Sequence, residues 1–549
     1  MAALYGLMME TPLLLITLLD YAAKYHGETE IVTRSVEGPI HRYDYRRCYA
    51  RTAQLAHALR AFGIREGDCI GTLAWNTYRH LELYYAAPGI GAVCHTINPR
   101  LFPEQIGYIV NHAEDRVLFV DLTFVPLLER LAPALRSVEA YVILTDKAHM
   151  PQSSLPNALC YETLIKGHPE IFDWPALDER AAAILCYTSG TTGDPKGVLY
   201  SHRSLMLYTL NIGHRDAAGY GSSDSVLPVV PMFHVNAWGI PFGAPLGGSK
   251  LVFPGAKLDP ENLYALLADE GVTVTAGVPT VWAALLDYMR RTGKRLTTLR
   301  SLGIGGAAAS RAMVDAFERE FGIPVVHGWG MTETSASATN STLPAREQAL
   351  PYEARLAYKL KQGRRRCFIE MKVVDEAGRE LPCDGESAGE LLVRGPWIAR
   401  GYFKDAAASR AALDAAGWLR TGDIATLDAR GFVQIVDRKK DMIKSGGEWI
   451  SSIAIENMAA ACPGIAEAAV IARPDPRWGE RPLLVLRRAE GARVEAQEVV
   501  DFLRHKMAKW AVPDEVIFLD ELPHTATGKV AKHVLRQQLV GDAPPTVRA

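Results

Sequence analysis

The sequence has no marked excess of charge and no paired-cysteine motif, and each absence argues against a class of protein. Its 60 Lys and Arg residues are balanced by 62 Asp and Glu residues, which gives no basis for a nucleic acid partner or an anionic membrane. The eight cysteines are scattered without a Cys-x-x-Cys spacing. That pattern argues against zinc and against the disulfide framework of a secreted protein, so a reducing cytoplasm is the expected compartment.

Long hydrophobic runs are also missing near the N-terminus. The short apolar run Pro12–Leu19 follows Glu10 rather than basic residues, so we expect neither a signal peptide nor an integral membrane segment. The spacing of Leu13, Ile16 and Leu19 predicts a helix that faces the core. A chain of 549 residues is long enough for roughly three or more domains or subdomains.

The most informative segment present is a glycine-rich loop, Tyr187–Gly197. The apolar runs Ala181–Cys186 and Val198–Tyr200 flank it and predict a strand on each side. Its glycines, its hydroxyl side chains and Lys196 suit a polyphosphate, because tight turns aim backbone N–H groups into one concavity. It is not a Walker loop, since Gly follows Lys196 where that motif requires Ser or Thr.

Strand-like and helix-like segments alternate from about residue 60 to about residue 330, as in Cys69–Ala74 followed by Arg79–Ala87. This alternation predicts an α/β architecture with largely parallel sheets. From about 364 to 437, short strands and turn residues predict a small β-rich subdomain. A smaller α+β unit follows.

Four further motifs follow the glycine loop, and each alone is a weak indication. All five, in this order, resemble the acyl-adenylate-forming superfamily of acyl-CoA synthetases, luciferases and peptide-synthetase adenylation domains, over essentially the whole chain. Two segments, Pro231–Gly239 and Lys444–Ser451, are most similar to bacterial medium- and long-chain fatty-acid–CoA ligases and methylthiopropionate–CoA ligases. The four motifs are Gly328–Glu333, Gly417–Asp423, Asp437–Trp449 and Leu522–Lys529.

The resemblance implies an ATP-dependent fatty-acid–CoA ligase that requires ATP, Mg²⁺ and CoA. A carboxylate attacks the α-phosphate of ATP to give acyl-AMP and pyrophosphate, and the thiol of CoA then gives acyl-CoA and AMP. Because both reactants of the first step are anions, positioning and charge neutralisation are the main demands. The second step requires no enzyme nucleophile, and the sequence contains no Gly-x-Ser-x-Gly motif.

The resemblance also implies two domains that reorient between the half-reactions. An N-terminal adenylate-forming domain would span 1–437 and a mobile C-terminal domain 442–549, with a hinge at 438–441 in which Lys440 is the pivot. A homodimer is expected by the same analogy.

Site residues are assigned by matching the family's motifs. Lys529 is expected to bridge the carboxylate and the α-phosphate, Thr188 and Glu333 to hold Mg²⁺, and His234 to lie at the catalytic centre. The expected ATP and AMP positions are Thr188, Ser189, Gly190, Thr191, Thr192, Gly193, Lys196, Val235, Gly306, Ala307, His327, Gly328, Trp329, Gly330, Met331, Thr332, Asp423, Arg438, Lys440, Lys444 and Trp449. The expected CoA positions are Lys444, Ser445, Gly446, Gly447 and Trp449, and the expected acyl pocket is His234, Val235, Trp238, Gly239, Gly277 and Gly303.

Other interpretations remain open from the residues. A ligase of the same mechanism would act on a short acid such as 3-methylthiopropionate, a fatty-acyl-AMP ligase would load a carrier protein, and a paralogue would bind without catalysis. The apolar residues Val235, Ala237 and Trp238 favour an alkyl chain. Taken alone, however, Trp238 is better explained by core packing and His234 by a satisfied core histidine.

The chain departs from the family pattern at Gly363–Glu370, which lacks the usual proline and second glycine. The departure places Arg365 and Arg366 next to each other. They are expected either to be solvated loop charges or to contact the phosphates of CoA.

Overall fold

A computed structural model describes residues 4, 6–188, 194–525 and 530–541. In this part of the chain the strands are β1 Glu30–Arg34, β2 Ile40–Asp44, β3 Cys69–Leu73, β4 Val93–Thr96, β5 Val117–Val120, β6 Ala140–Ile143, β7 Ala158–Cys160, β8 Ala182–Tyr187, β9 Gly197–Ser201, β10 Ser225–Pro228, β11 Lys250–Phe253, β12 Val274–Gly277, β13 Ser301–Ile304, β14 Val325–His327, β15 Thr339–Asn340, β16 Arg364–Arg365, β17 Glu370–Val374, β18 Gly389–Arg394, β19 Leu419–Leu427, β20 Val433–Arg438, β21 Ile443–Ser445, β22 Glu448–Ile450, β23 Ile465–Asp475, β24 Gly479–Arg488 and β25 Glu515–Phe518. The helices are α1 Ile16–Tyr25, α2 Tyr45–Ala61, α3 Tyr78–Gly89, α4 Pro103–Ala113, α5 Val125–Leu131, α6 Tyr161–Ile165, α7 His202–Ile212, α8 Ile240–Gly247, α9 Pro260–Asp269, α10 Pro279–Thr292, α11 Arg311–Asp315, α12 Ala345–Gln348, α13 Tyr352–Leu360, α14 Ala406–Ala412, α15 Ser452–Ala460, α16 Ala496–Arg504 and α17 Lys532–Leu539.

Two seven-stranded sheets form the first part of the chain and confirm the predicted α/β class. Their strand orders are β14-β13-β12-β10-β11-β1-β2 and β7-β6-β5-β3-β4-β8-β9. Neighbours are parallel except at one edge of each sheet, where β2 and β9 run antiparallel. Strands β3, β4 and β5 are buried throughout, as expected for parallel strands covered on both faces.

Smaller sheets follow, among them the two-stranded pair of β15 and β16. Strands β17 to β20 form a four-stranded antiparallel sheet, which confirms the predicted β-rich subdomain. Strands β22, β21, β24 and β23 form the last sheet, and β25 joins it parallel to β24. With α15, α16 and α17 these strands make up the smaller α+β unit. The domain limits 1–437, 438–441 and 442–549 stay a prediction.

The first helix begins later than the sequence pattern suggests. The apolar run starts at Pro12, but α1 starts at Ile16, and backbone groups before it bind other parts of the chain. The N–H of Leu13 donates to Glu179 at 3.0 Å, and that of Leu15 donates to His202 at 3.2 Å. Within the described residues, no helix is long and apolar enough to cross a lipid bilayer.

Candidate nucleotide and acid site

The glycine-rich loop leaves β8 and returns on β9, as predicted, and its two ends are tied together. The N–H of Thr188 donates to the Lys196 carbonyl at 2.9 Å, and the N–H of Lys196 donates to the Thr188 hydroxyl at 3.2 Å. The Lys196 ammonium lies 5.1 Å from the centroid of the Tyr402 ring, a cation–π distance. The expected phosphate-binding residues Ser189, Gly190, Thr191, Thr192 and Gly193 lie outside the described residues.

Glu333 is a buried carboxylate held by a residue that the sequence interpretation missed. It lies on the short 3₁₀ turn Thr332–Thr334, and the phenol of Tyr402 donates to its Oε1 at 2.7 Å. Burial raises the pKa of Glu333, and this rise is opposed by Tyr402, Arg438 and Lys196. Glu333 therefore lies within electrostatic reach of both cations.

Tyr402 is positioned by a loop that connects Glu333 to the glycine-rich loop. The N–H of Ala399 donates to the Glu333 carbonyl at 2.8 Å, and the N–H of Phe403 donates to the Gly197 carbonyl at 2.8 Å. The sequence signal for this loop is a lone aromatic pair, Tyr402 and Phe403, and it is too weak to identify a site residue.

Asp423 is held by Trp329 and Arg438, which are themselves predicted to bind the nucleotide. The indole N–H of Trp329 donates to its Oδ2 at 2.7 Å, and Arg438 pairs with its Oδ1 at 2.6 Å. Asp423 and Arg438 are cross-strand partners on β19 and β20. Each carboxylate oxygen can accept a second hydrogen bond, so Asp423 retains the capacity to receive ribose hydroxyls.

Four more residues that are predicted to bind the nucleotide lie together at the carboxyl ends of β13 and β14: Gly306, Ala307, His327 and Gly328. Ile304 and His327 are register partners at the ends of these parallel strands, and Gly306, Ala307 and Gly328 follow them. Ligands of open α/β sheets bind at this kind of edge. Burial lowers the pKa of His327 to about 4, so its imidazole is neutral at pH 7.

The chain turns tightly just after this edge. A Cβ atom at Gly330 would lie 1.9 Å from the Ala336 carbonyl oxygen, so only glycine fits. The phenol of Tyr200 donates to the Thr332 carbonyl at 2.6 Å. These contacts fix the backbone that presents Thr332 and Glu333.

The predicted acyl wall, Val235–Trp238, is a left-handed turn. The φ angles of its four residues are 43°, 58°, 47° and 54° in chain order, in a region that residues other than glycine rarely adopt. Such conformations cost about 1–3 kcal/mol each and concentrate at functional sites. His234 precedes the turn in an extended conformation, and Gly239 follows it with φ 80°.

Small residues around Trp238 only partly match the sequence interpretation. A Cβ atom at Gly305 would lie 2.8 Å from the Trp238 ring, whereas a Cβ atom at Gly277 would lie 2.7 Å from the Trp282 ring. Gly277 is therefore explained by core packing, and Gly305, which the sequence interpretation did not select, provides the space beside Trp238. The indole of Trp282 donates to the Gly303 carbonyl at 3.1 Å. The acyl-pocket roles of Gly277 and Gly303 stay a prediction.

The predicted CoA residues lie on and around the hairpin of β21 and β22. Trp449 is 41% exposed, and the Lys444 ammonium lies 5.2 Å from its ring centroid. Gly446 and Gly447 have φ angles of 59° and 94°, which a tight hairpin turn requires. Ser445 is buried and accepts from Arg481 at 3.2 Å, so its side chain faces the domain interior.

The predicted hinge lies between contacts to two different parts of the chain. On one side, the N–H of Lys439 donates to the Gly422 carbonyl at 2.9 Å. On the other, Asp441 pairs with Arg536 of α17 at 2.5 Å. Lys440 stands between these two attachments, and its pivot role stays a prediction.

Lys529 lies outside the described residues. Its neighbours on either side are held together, because His524 and Val530 form a β-bridge and the N–H of Ala531 donates to the Pro523 carbonyl at 2.7 Å. Both contacts belong to the C-terminal unit.

The two unusual arginines point in different directions. Arg365 is exposed and donates to the Ile369 carbonyl at 3.0 Å. Arg366 turns inward, where its Nε donates to the Ser337 hydroxyl at 3.1 Å. The expectation of a solvated loop charge therefore does not hold for Arg366, because its side chain is partly buried and bound to Ser337.

Two family models match the chain. The family described as AMP-binding enzyme matches residues 19–403, and its companion, the AMP-binding enzyme C-terminal domain, matches residues 454–529. Together they include the glycine-rich loop, Glu333 and the motif that ends at Lys529.

Proteins of similar sequence and structure carry related names. The chain is 48% identical over 97% of its length to the 3-methylmercaptopropionyl-CoA ligase of Ruegeria lacuscaerulensis, and it covers 98% of that protein. It is 46% identical to the long-chain-fatty-acid–CoA ligase of Thermus thermophilus, with 98% of both chains covered. The crystal structure of the anthranilate CoA ligase AuaEII in complex with anthranoyl-AMP superposes with a TM-score of 0.86 at 26% identity, covering 96% of this chain and 98% of that one.

Proposed function

The chain belongs to the AMP-binding enzyme family and is an AMP-forming acyl-CoA ligase that uses ATP, Mg²⁺ and CoA, and we propose that its acid is a medium- or long-chain fatty acid. The observation that supports this substrate is the wall at Val235–Trp238. Val235, Ala237 and Trp238 are apolar, and the indole of Trp238 lies against Gly305. Such a surface suits an alkyl chain.

In the proposed first half-reaction, an oxygen of the carboxylate forms a bond to the α-phosphorus of ATP while the bond to the pyrophosphate oxygen breaks. The loop from Thr188 to Lys196 would hold the departing phosphates, and Asp423 the ribose. Lys529 would neutralise charge between the carboxylate and the α-phosphate. Electrostatic stabilisation of this kind is usually the largest catalytic contribution.

The residues at the predicted metal site fit Mg²⁺, which prefers carboxylate and hydroxyl oxygens together with phosphate. Glu333 is buried, and one of its oxygens accepts a hydrogen bond from Tyr402. Thr188 presents a hydroxyl where the two ends of the glycine-rich loop meet. Mg²⁺ bound there would neutralise phosphate charge. Its binding would also compensate the burial that raises the pKa of Glu333.

In the proposed second half-reaction, the sulfur of CoA forms a bond to the acyl carbon, the bond to the AMP oxygen breaks, and the thiol proton is released. We propose that rotation about Lys440 brings the hairpin Lys444–Trp449 to the nucleotide for this step. The exposure of Trp449 and of Lys444 supports this role, because a face that alternates between partners must be accessible.

A second candidate is a ligase for 3-methylthiopropionate with the same mechanism. It is favoured by the two relatives named 3-methylmercaptopropionyl-CoA ligase, which are 48% and 46% identical to this chain. The fatty-acid–CoA ligases are 46% and 43% identical, so overall similarity does not separate the two candidates.

The test is an AMP-release assay with 3-methylthiopropionate and a series of saturated fatty acids, with and without CoA. The fatty-acid proposal predicts the highest kcat/KM with acids of about eight or more carbons. A maximum with 3-methylthiopropionate would replace it by the second candidate. AMP release that requires a carrier protein rather than CoA would contradict both.

We also propose a cytoplasmic location and a homodimer. Buried thiols such as Cys48 and Cys94 are compatible with a reducing compartment. The dimer rests on analogy alone, and light scattering of the purified protein tests it directly.

A further inference from the structure

Cys186 is a buried thiol that joins the sheet to the predicted acyl wall by direct contacts. It lies on β8, two residues before Thr188, and is 1% exposed. Its register partner on the neighbouring strand β4 is Thr96, whose hydroxyl oxygen lies 3.1 Å from the Cys186 sulfur. On its other side, the thiol donates to Oδ1 of Asn236 at 3.5 Å. Because Asn236 belongs to the wall Val235–Trp238, the thiol connects a strand of the sheet to that wall.

The hydrogen bonds at this sulfur have a defined direction. A thiol has one proton, which Asn236 receives, so the hydroxyl of Thr96 donates to the sulfur. The backbone N–H groups of Asn236 and Val235 also act on the thiol, and burial raises the pKa of Cys186 to about 11. The thiol therefore keeps its proton at pH 7 and remains a donor. Thr96 and Asn236 are buried as well, so removal of the sulfur would leave both without this partner.

The wall needs such contacts because its backbone is unfavourable. The residues Val235–Trp238 all have positive φ angles, and conformations of this kind persist only where the surrounding structure fixes them. The thiol of Cys186 holds the wall at Asn236. The phenol of Tyr208, on α7, donates to the Trp238 carbonyl at 3.1 Å. The turn is thus held from the sheet at one residue and from a helix at another.

The main chain of Cys186 serves the other half of the site. It is the register partner of Val198 on β9, and β8 and β9 are the two strands that the glycine-rich loop connects. The side chain of Cys186 therefore contacts the wall, while its backbone supports the loop that would hold the phosphates. A change confined to the side chain should separate these two functions.

We propose that Cys186 is a positioning residue for the acid, whose thiol acts through Asn236 to hold the wall Val235–Trp238 in its left-handed conformation and so determines which acids the pocket accepts. The inference rests on the proposed acyl pocket and identifies a further residue that controls its specificity. Without the thiol, the turn would relax towards a conformation of lower energy and the wall would discriminate less. The pairing of β8 with β9 would remain, so the binding of ATP would be retained.

The experiment measures CoA-dependent AMP release with 3-methylthiopropionate and with saturated fatty acids of about three to about sixteen carbons. Selectivity is the ratio of the highest to the lowest kcat/KM among these acids in one preparation, which does not depend on how much of a variant is folded. The KM for ATP is measured alongside. The variants are Cys186→Ala, Cys186→Ser and, as a matched control, Cys48→Ala, which removes another fully buried thiol, on α2.

Cys186→Ala should lower the selectivity by about tenfold, while the KM for ATP should stay within about threefold of wild type. Cys186→Ser should retain most of the selectivity, because its hydroxyl can donate to Asn236. Cys48→Ala should change neither quantity. An unchanged selectivity in Cys186→Ala, or an equal loss in Cys186→Ser, overturns the inference.

A double variant tests whether the thiol acts through Asn236. Asn236→Gly removes the side-chain oxygen but tolerates the left-handed backbone. Adding Cys186→Ala to Asn236→Gly should lower the selectivity no further, because both changes remove the same interaction. Losses that add would contradict the proposed route. A wild-type maximum with 3-methylthiopropionate would replace the fatty-acid proposal but not this inference, which depends only on the difference between wild type and variants.

Discussion

The nucleotide side of the site and the CoA hairpin are built in opposite ways. Glu333 and Asp423 are buried carboxylates whose oxygens are bound by Tyr402, Trp329 and Arg438. On the hairpin, Lys444 and Trp449 are exposed, and the Lys444 ammonium lies 5.2 Å from the Trp449 ring centroid.

The difference shows which half of the chemistry is prepared in advance. Buried, fully oriented groups stabilise developing charge without reorganising during the reaction. In the proposed mechanism the exposed hairpin would meet the nucleotide and CoA when the domains reorient, so its residues should affect one half-reaction and not the fold. Each prediction below separates these two kinds of residue.

The largest expected effect is that of Lys529→Ala. Loss of the cation that would bridge the carboxylate and the α-phosphate should lower acyl-adenylate formation by about 10³-fold. Thioester formation from supplied acyl-AMP and CoA should be retained. Pyrophosphate exchange measures the first step and thioester absorbance the second, with Lys506→Ala as the control on the same domain. Equal loss in both steps would contradict the assigned role.

Glu333→Gln should lower adenylation by about 100-fold while stabilising the metal-free protein. Because burial raises the pKa of Glu333, the folded state binds this proton more tightly than the unfolded chain, and ionisation destabilises the fold as pH rises. The gain in Tm over wild type should therefore be larger at pH 8 than at pH 5 in Mg²⁺-free buffer. Glu376→Gln, at an exposed position, is the control; a gain independent of pH would argue against a buried ionising carboxylate.

Tyr402→Phe should raise the Mg²⁺ concentration for half-maximal adenylation by about tenfold, because it removes the hydrogen bond that orients Glu333. The ring and its packing are retained, so Tm should change little. A titration of activity against Mg²⁺ measures the effect, and Tyr25→Phe at an exposed position is the control. An unchanged Mg²⁺ requirement would show that Tyr402 does not position the metal-binding carboxylate.

The smallest effect is expected for Trp449→Ala. Loss of its cation–π contact with Lys444 should slow thioester formation by about threefold and leave adenylation and Tm unaltered. Trp510→Ala, which removes another exposed tryptophan of the same domain, should change neither step. A decrease in adenylation for Trp449→Ala would show that this residue belongs to the buried, preorganised nucleotide side of the site.

The sequence predicted the architecture well because its signals are local. Alternating strand and helix patterns predicted the two largely parallel sheets. Ser201, a residue type typical of helix N-caps, caps α7, where its hydroxyl accepts from Ser204 N–H at 3.1 Å. Asp423 and Arg438 were both selected from motifs, but only the pairing of β19 with β20 shows that they face each other.

Residues that depend on long-range packing were not predictable. Tyr402 reaches Glu333 across 69 residues of chain, and nothing in its own neighbourhood indicates this contact. Gly277 and Gly305 look alike in sequence, but their roles differ because one faces Trp282 and the other faces Trp238. The inward orientation of Arg366 likewise follows from how its loop folds, not from its charge.

The left-handed turn at Val235–Trp238 has a consequence for how the wall admits an acid. When Trp238 is in its observed position, the backbone of this turn is in a high-energy, left-handed conformation. Movement of these residues to right-handed or extended conformations would lower that energy, so the main chain would assist displacement of the indole. In the proposed acyl pocket, resistance to an entering acid would therefore come from side-chain packing such as the contact between Trp238 and Gly305, and substrate size would be controlled by that packing rather than by loop stiffness.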